Sequence, residues 1–113
     1  MHELAIMQSA LDMAEEKALA AGASQIHRLR LRIGELSGVV PEALRFAYEA
    51  LRPGTMAAEA ELEIEEIPAI CCCPACNADF HVAALNFECP KCHQRSGDLR
   101  KGNEMDLTSM EIS

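Results

Sequence analysis

The sequence predicts an α+β fold, with two helices on one face of a small three-stranded sheet and a separate lobe inserted into that sheet. Three observations lead there. Apolar residues recur at three- and four-residue steps over residues 4–20 and then alternate with arginines over 26–33, a change from helical to extended period. A second helical stripe begins at Pro41 and gives way to another alternating run at Glu61. Two Cys-x-x-Cys pairs, Cys73/Cys76 and Cys89/Cys92, then break the pattern before alternation resumes near Glu104. At 113 residues the chain has room for one domain, or one small core with a stapled insert.

The first helix places Leu4, Met7, Leu11, Ala14 and Ala18 on one stripe and Glu15, Glu16 and Lys17 off it. Gly22 stands where a left-handed C-terminal cap is expected. Met7 and Met13 are read as core packing rather than as thioether metal ligands. In the first strand Leu29, Leu31 and Ile33 face one way and Arg28, Arg30 and Arg32 the other. The second helix uses Leu44, Ala47, Tyr48 and Leu51 as its buried stripe, with Pro41 at its start and Pro53-Gly54 beyond its end. The second strand, Glu61 to Ile67, sets Leu62 and Ile64 against Glu61, Glu63 and Glu65. A strand–helix–strand passage favours parallel pairing, which brings the arginine row opposite the glutamates and neutralises the open face. The third strand, from about Glu104 to Ile112, alternates imperfectly. Met105 and Leu107 fall on one face and Met110 and Ile112 on the other, which a bulge or an edge position would each explain.

Twelve residues separate the cysteine pairs, a span that brings two turns face to face. Four thiolates at about 2.3 Å complete a tetrahedral Zn²⁺ site, and Pro74 and Pro90 pre-set the turns that aim the sulfurs. Disulfides are the competing reading, but they need an oxidising compartment, and Met1-His2-Glu3 is not the start of a secretory leader. A redox dithiol needs only one such pair. The lobe is therefore expected to be zinc-ribbon-like, over residues 69–97. Residues 1–68 with 98–113 form the α/β unit, with Pro68 and Ser96-Gly97 as hinges. Cys71 and Cys72 adjoin the first turn without a good chelate spacing. His81 and His93 are expected beside the site rather than on the metal, and His27 in a structural role.

A net charge of −8 argues against nucleic acid, as do only four aromatic residues. The chain holds no run of about 20 apolar residues, so no membrane span is expected and the expected location is cytoplasmic. A four-thiolate metal has no open position for water, and no nucleophile–base pair suggests itself, so no enzyme activity is expected.

The amino terminus supplies a second chemical feature. A free α-amine, the His2 amide nitrogen and the His2 imidazole can close two chelate rings on a planar ion such as Ni(II), with Glu3 available for a fourth position. Four motifs then follow in order: Met1-His2-Glu3-Leu4, Gly34-Glu35-Leu36, the two cysteine pairs, and Gly102-Asn103-Glu104-Met105. Together they resemble the HypA/HybF family of nickel-insertion metallochaperones for nickel–iron hydrogenase and, in some bacteria, urease. The resemblance implies His2 as the principal nickel ligand with Met1 and Glu3 beside it, and Cys73, Cys76, Cys89 and Cys92 as structural zinc ligands. It further implies a nickel-handling GTPase and the hydrogenase large subunit as partners, and urease accessory proteins where urease is served. Some members bring a carboxylate near position 40 toward the nickel. Here that position is Val40, with Glu35 and Glu42 the nearest acids. A zinc-ribbon adaptor that binds protein without delivering nickel is the alternative.

Overall fold

The computed structural model describes residues 3–113; Met1 and His2, and the nickel-site expectation placed on them, lie outside the described residues. The fold is α+β, with helix α1 (Glu3–Ala20), strand β1 (Ile26–Gly34), helix α2 (Pro41–Leu51) and strand β2 (Glu61–Ile67). Strands β3 (Ile70–Cys73), β4 (Ala78–His81), β5 (Leu99–Lys101) and β6 (Met105–Ile112) follow. Two three-stranded sheets result, ordered β2-β1-β6 and β4-β3-β5, in a molecule 54 Å long and 25 by 17 Å across.

The first unit follows the periodicities. α1 buries Met7, Leu11, Ala14 and Ala18, while Leu4, in the helix's first turn, stays 54 % exposed, and Met13, expected in the core, is exposed as well because it falls off the buried stripe. Gly22, at φ 78°, lets the chain turn back so that the Ala23 N–H donates to the Ala18 carbonyl at 2.9 Å. Pro41 occupies the first turn of α2, where its missing N–H has no intrahelical partner to lose. Tyr48 is buried, and its hydroxyl lies 2.7 Å from the Ala60 carbonyl and 3.1 Å from that of Ala57, tying α2 to the chain entering β2.

β1 and β2 pair in parallel, with Arg28 opposite Glu61, Arg30 opposite Glu63 and Arg32 opposite Glu65. Arg28 makes ion contacts of 3.3 Å with Glu61, 3.4 Å with Glu63 and 3.3 Å with Glu111; Arg30 reaches Glu63 at 2.9 Å. The arginine row is thus neutralised on the open face. Glu111 is the foremost of the carboxylates holding the Arg28 guanidinium above its ordinary pKa. β6 pairs antiparallel with β1, and its register shifts between Ser109 and Leu107. Thr108 is the extra residue, and its hydroxyl donates to the Arg30 carbonyl at 3.2 Å. The bulge explains the imperfect alternation. Met105 and Leu107 stand opposite Ile33 and Leu31, while Met110 and Ile112 stand opposite Leu29 and Ile26, so all four serve one apolar face. β6 is an edge strand as well.

The inserted region holds three strands that the sequence did not announce. β3 is central, antiparallel to β4 and β5. Its buried set is small: Ala69, Cys71, Cys73, Phe80, Val82 and Cys89, separate from the larger cluster of the first unit. β5 pairs with β3, so Leu99–Lys101 joins the second sheet although residues 98–113 were expected with the first; Leu99 packs against the lobe's core. Ser96 is pinned rather than hinge-like, because it is buried and its hydroxyl donates to the Cys72 carbonyl.

Where the units meet, backbones touch. A Cβ on Gly34 would stand 2.1 Å from the Gly102 carbonyl oxygen, closer than any real contact. Gly34→Ala should therefore lower unfolding stability by about 1–3 kcal/mol through overpacking. Gly97→Ala, which meets nothing within 4 Å, should stay within about 0.5 kcal/mol of the parent. Urea denaturation of both variants checks the contrast.

Candidate metal centre

Cys73 ends β3, Cys76 lies in the turn before β4, and Cys89 and Cys92 frame a second turn after it. β3 and β4 pair as a hairpin, Cys73 opposite Ala78, which closes the first turn tightly enough to present both its sulfurs. The second turn is closed by the His93 N–H donating to the Cys89 carbonyl at 2.9 Å and the Cys89 N–H donating to the Gln94 carbonyl at 2.8 Å. The two turns share a backbone signature. The residue after each pair, Asn77 at φ 51° and His93 at φ 64°, sits in the left-handed region, which Asn and His tolerate better than most residues.

All four sulfurs lie within 4.8 Å of one another. Cys73 and Cys92 are 3.5 Å apart, and Cys76 and Cys89 are 3.9 Å apart. A tetrahedron with metal–sulfur bonds of about 2.3 Å has edges of about 3.8 Å, so the spacing fits a four-thiolate ion. It does not fit disulfides, and all six cysteines are free. The electrostatics also call for a cation. Contact with Cys92, then burial, pushes the Cys76 thiol up to about 12, while the N–H groups of Cys92 and Lys91 draw the Cys89 thiol down to about 6. Four thiolates cannot share this volume without positive charge among them, and a divalent ion such as Zn²⁺ supplies it.

The neighbouring groups take other roles. The His93 Nδ1 lies 3.1 Å from a Glu88 carboxylate oxygen. His81 Nε2 lies 2.8 Å from Glu35 Oε1, and His27 Nε2 lies 2.6 Å from the Ser113 hydroxyl. Cys71 is packed in the lobe's core, and burial raises its thiol pKa. Cys72 points to the opposite side of β3, where it raises the pKa of the Arg100 guanidinium. Sequence reasoning named Glu35 as part of the Gly34-Glu35-Leu36 motif and as an acid near position 40, and missed its partners. Its carboxylate takes the Ala69 N–H at 2.9 Å, which with His81 holds it below the usual carboxylate range. Nothing local in sequence signals this, because its partners are 34 and 46 residues away.

Glu3 opens α1 and shares a shallow hollow with Leu4, Ala43, Phe46 and Ala47 of the two helices. The starts of α1 and α2 are therefore neighbours, with Val40 capping α2 and Glu42 in its first turn. The four cysteines belong to the other unit.

Comparison with known proteins decides the family. A family model described as hydrogenase/urease nickel incorporation, metallochaperone, HypA matches residues 1–112. The chain belongs to the HypA family. It is 44 % identical over 112 residues to the hydrogenase maturation factor HypA of a Picosynechococcus species, covering 99 % of each chain. With the HypA of Chloroflexus aurantiacus it shares 41 % identity, covering 98 % of each. Its fold is similar to the solution structure of the Ni metallochaperone HypA from Helicobacter pylori. That match has a TM-score of 0.67 and 31 % identity, over 99 % of this chain and 97 % of that one. A second HypA solution structure gives a TM-score of 0.70, also at 31 % identity, over 100 % of this chain and 97 % of that one. Among the described residues no helix is long and apolar enough to cross a membrane.

If His93 closes the second turn through its backbone and ligates nothing, His93→Gly should keep one metal ion per chain. It should also leave the visible absorption of the cobalt-substituted protein unchanged. His93→Val, with a β-branched residue forced to positive φ, should cost about 1–3 kcal/mol. Metal analysis, cobalt spectra and thermal denaturation of the two variants check this.

Proposed function

We propose that this chain binds Ni(II) at its amino terminus and helps insert it into nickel–iron hydrogenase during maturation, while its four cysteines hold a structural Zn²⁺. The observation that carries the reading is the match of residues 1–112, Met1-His2-Glu3 included, to a nickel-incorporation family. The chemistry agrees. The α-amine, the His2 amide nitrogen and the His2 imidazole form a nitrogen set suited to planar Ni(II), with Glu3 completing it. Val40 brings no carboxylate, which leaves the ion less fully wrapped and easier to hand on. Cys73, Cys76, Cys89 and Cys92 give zinc a closed shell with no position for a reacting water, so the zinc supports structure and no catalysis is assigned.

The partners that fit are a nickel-handling GTPase and the hydrogenase large subunit, with urease accessory proteins where urease is served. A cytoplasmic location suits four thiols kept reduced for metal. The acidic net charge of −8 suits protein recognition rather than nucleic acid.

Nickel titration of the untagged, zinc-loaded protein tests this reading. Binding needs a neutral imidazole and a deprotonated amine, whose reference pKa values are about 6.5 and about 7.7–8.0. Affinity should therefore fall steeply below about pH 7, with protons released on binding. His2→Ala should abolish tight nickel binding and leave zinc content and fold intact. Inserting Lys between Met1 and His2 completes a square plane of nitrogens, which should raise affinity yet impair hydrogenase maturation. Normal maturation by the insertion variant would transfer the lead to a protein-binding adaptor without nickel delivery.

A further inference from the structure

Gly34-Glu35-Leu36 belongs to neither metal set, yet it is where the two units join. β1 ends at Gly34, and the next two residues enter the lobe. Leu36 packs against the lobe's core, and its N–H donates to the Gly102 carbonyl at 2.7 Å. The Glu35 N–H donates to the Ile67 carbonyl at 2.8 Å, which fixes its backbone to the end of β2.

The Glu35 side chain then turns toward the lobe. Its Oε1 accepts the Ala69 N–H at 2.9 Å and lies 2.8 Å from His81 Nε2. Ala69 leads into β3, and His81 ends β4. One carboxylate oxygen therefore holds both the entry to the lobe's central strand and the residue of β4 that lies beside it, His81 pairing with Ile70. The side chain thus grips two strands of the lobe at one corner, where the lobe leaves the first sheet. The surrounding backbones leave little slack: a Cβ on Gly102 would stand 2.8 Å from the Ala69 Cα.

We propose that Glu35 is a positioning residue. By tying Ala69 and His81 to the end of β1, it fixes the direction in which the four-cysteine lobe stands relative to the unit that bears the amino terminus. The orientation follows from geometry alone. Its consequence, that a recipient meets the amino terminus and the lobe in one fixed arrangement during nickel transfer, rests on the function proposed above.

The test is solution NMR on the zinc-loaded full chain, with residual dipolar couplings of both units measured in one alignment medium. A single alignment tensor should fit both units of the parent protein. In Glu35→Ala the units should need separate tensors, with weaker alignment of the lobe, at unchanged zinc content. Glu35→Gln keeps an acceptor oxygen for the Ala69 N–H and should recover part of the common alignment. His81→Ala removes one contact of a half-exposed side chain and should loosen the lobe less than Glu35→Ala. The double variant should be no looser than Glu35→Ala alone, because the two residues share one interaction. Parent-like common alignment in Glu35→Ala overturns the proposal. Should Glu35→Ala fail to fold, parent-like alignment in both His81→Ala and Glu35→Gln overturns it equally. No nickel enters this measurement, so failure of the nickel reading leaves it standing. With alignment lost as expected, unimpaired nickel transfer by Glu35→Ala would remove only the link to delivery.

Discussion

Four sulfur atoms confined within 4.8 Å of one another are the constraint on which the second half of this molecule depends. The lobe's buried set of six residues includes three cysteines, too little apolar volume to hold three short strands by burial alone. Packed this closely, the sulfurs perturb one another: contact with Cys92 and burial raise the Cys76 thiol, while the N–H groups of Cys92 and Lys91 lower that of Cys89. A divalent ion among them would balance their charge and join the hairpin turn after β3 to the turn that follows β4. Metal chemistry would there stand in for a core, with the lobe's folding coupled to its ion.

The first unit is built on the opposite principle. Its core is a continuous apolar layer between two helices and one face of the β2-β1-β6 sheet, and the other face is balanced by arginine–glutamate contacts. Its buried residues form that layer without any of the cysteines. The four clustered cysteines all lie in the other unit, so under the proposed function the ion that must stay and the ion that must leave would share no ligand. The two units keep separate cores and meet at a close backbone approach of Gly34, Gly102 and Ala69.

Sequence patterns revealed the first unit almost completely because its elements run seven residues or more and keep a clear period. Both helices, the parallel pairing of β1 with β2 and the existence of a last strand were legible; the sequence left a bulge or an edge position open for β6, and Thr108 hid the common face of Met105, Leu107, Met110 and Ile112. The cysteine quartet was equally legible, because its spacing is set by ligand geometry. β3, β4 and β5 were not, since three or four residues are too few to display a period, and in β3 cysteines fill the inward positions where Val or Ile would signal a strand. The place of β5 in the second sheet was hidden for the same reason. Glu35 was visible as a motif residue and an acid near position 40, but its role at the junction was not, because only the fold brings Ala69 and His81 to it. The role proposed for His2 differs again, since it rests on family resemblance and the chemistry of a free amino terminus.

The central claim is that two metals occupy separate ligand sets of different chemistry on the two units. X-ray absorption at the zinc and nickel edges of one sample loaded with both metals tests it most directly. The account predicts four sulfur neighbours at about 2.3 Å around zinc, and only nitrogen and oxygen neighbours around nickel. Sulfur in the nickel shell, or nitrogen replacing sulfur around zinc, would contradict it.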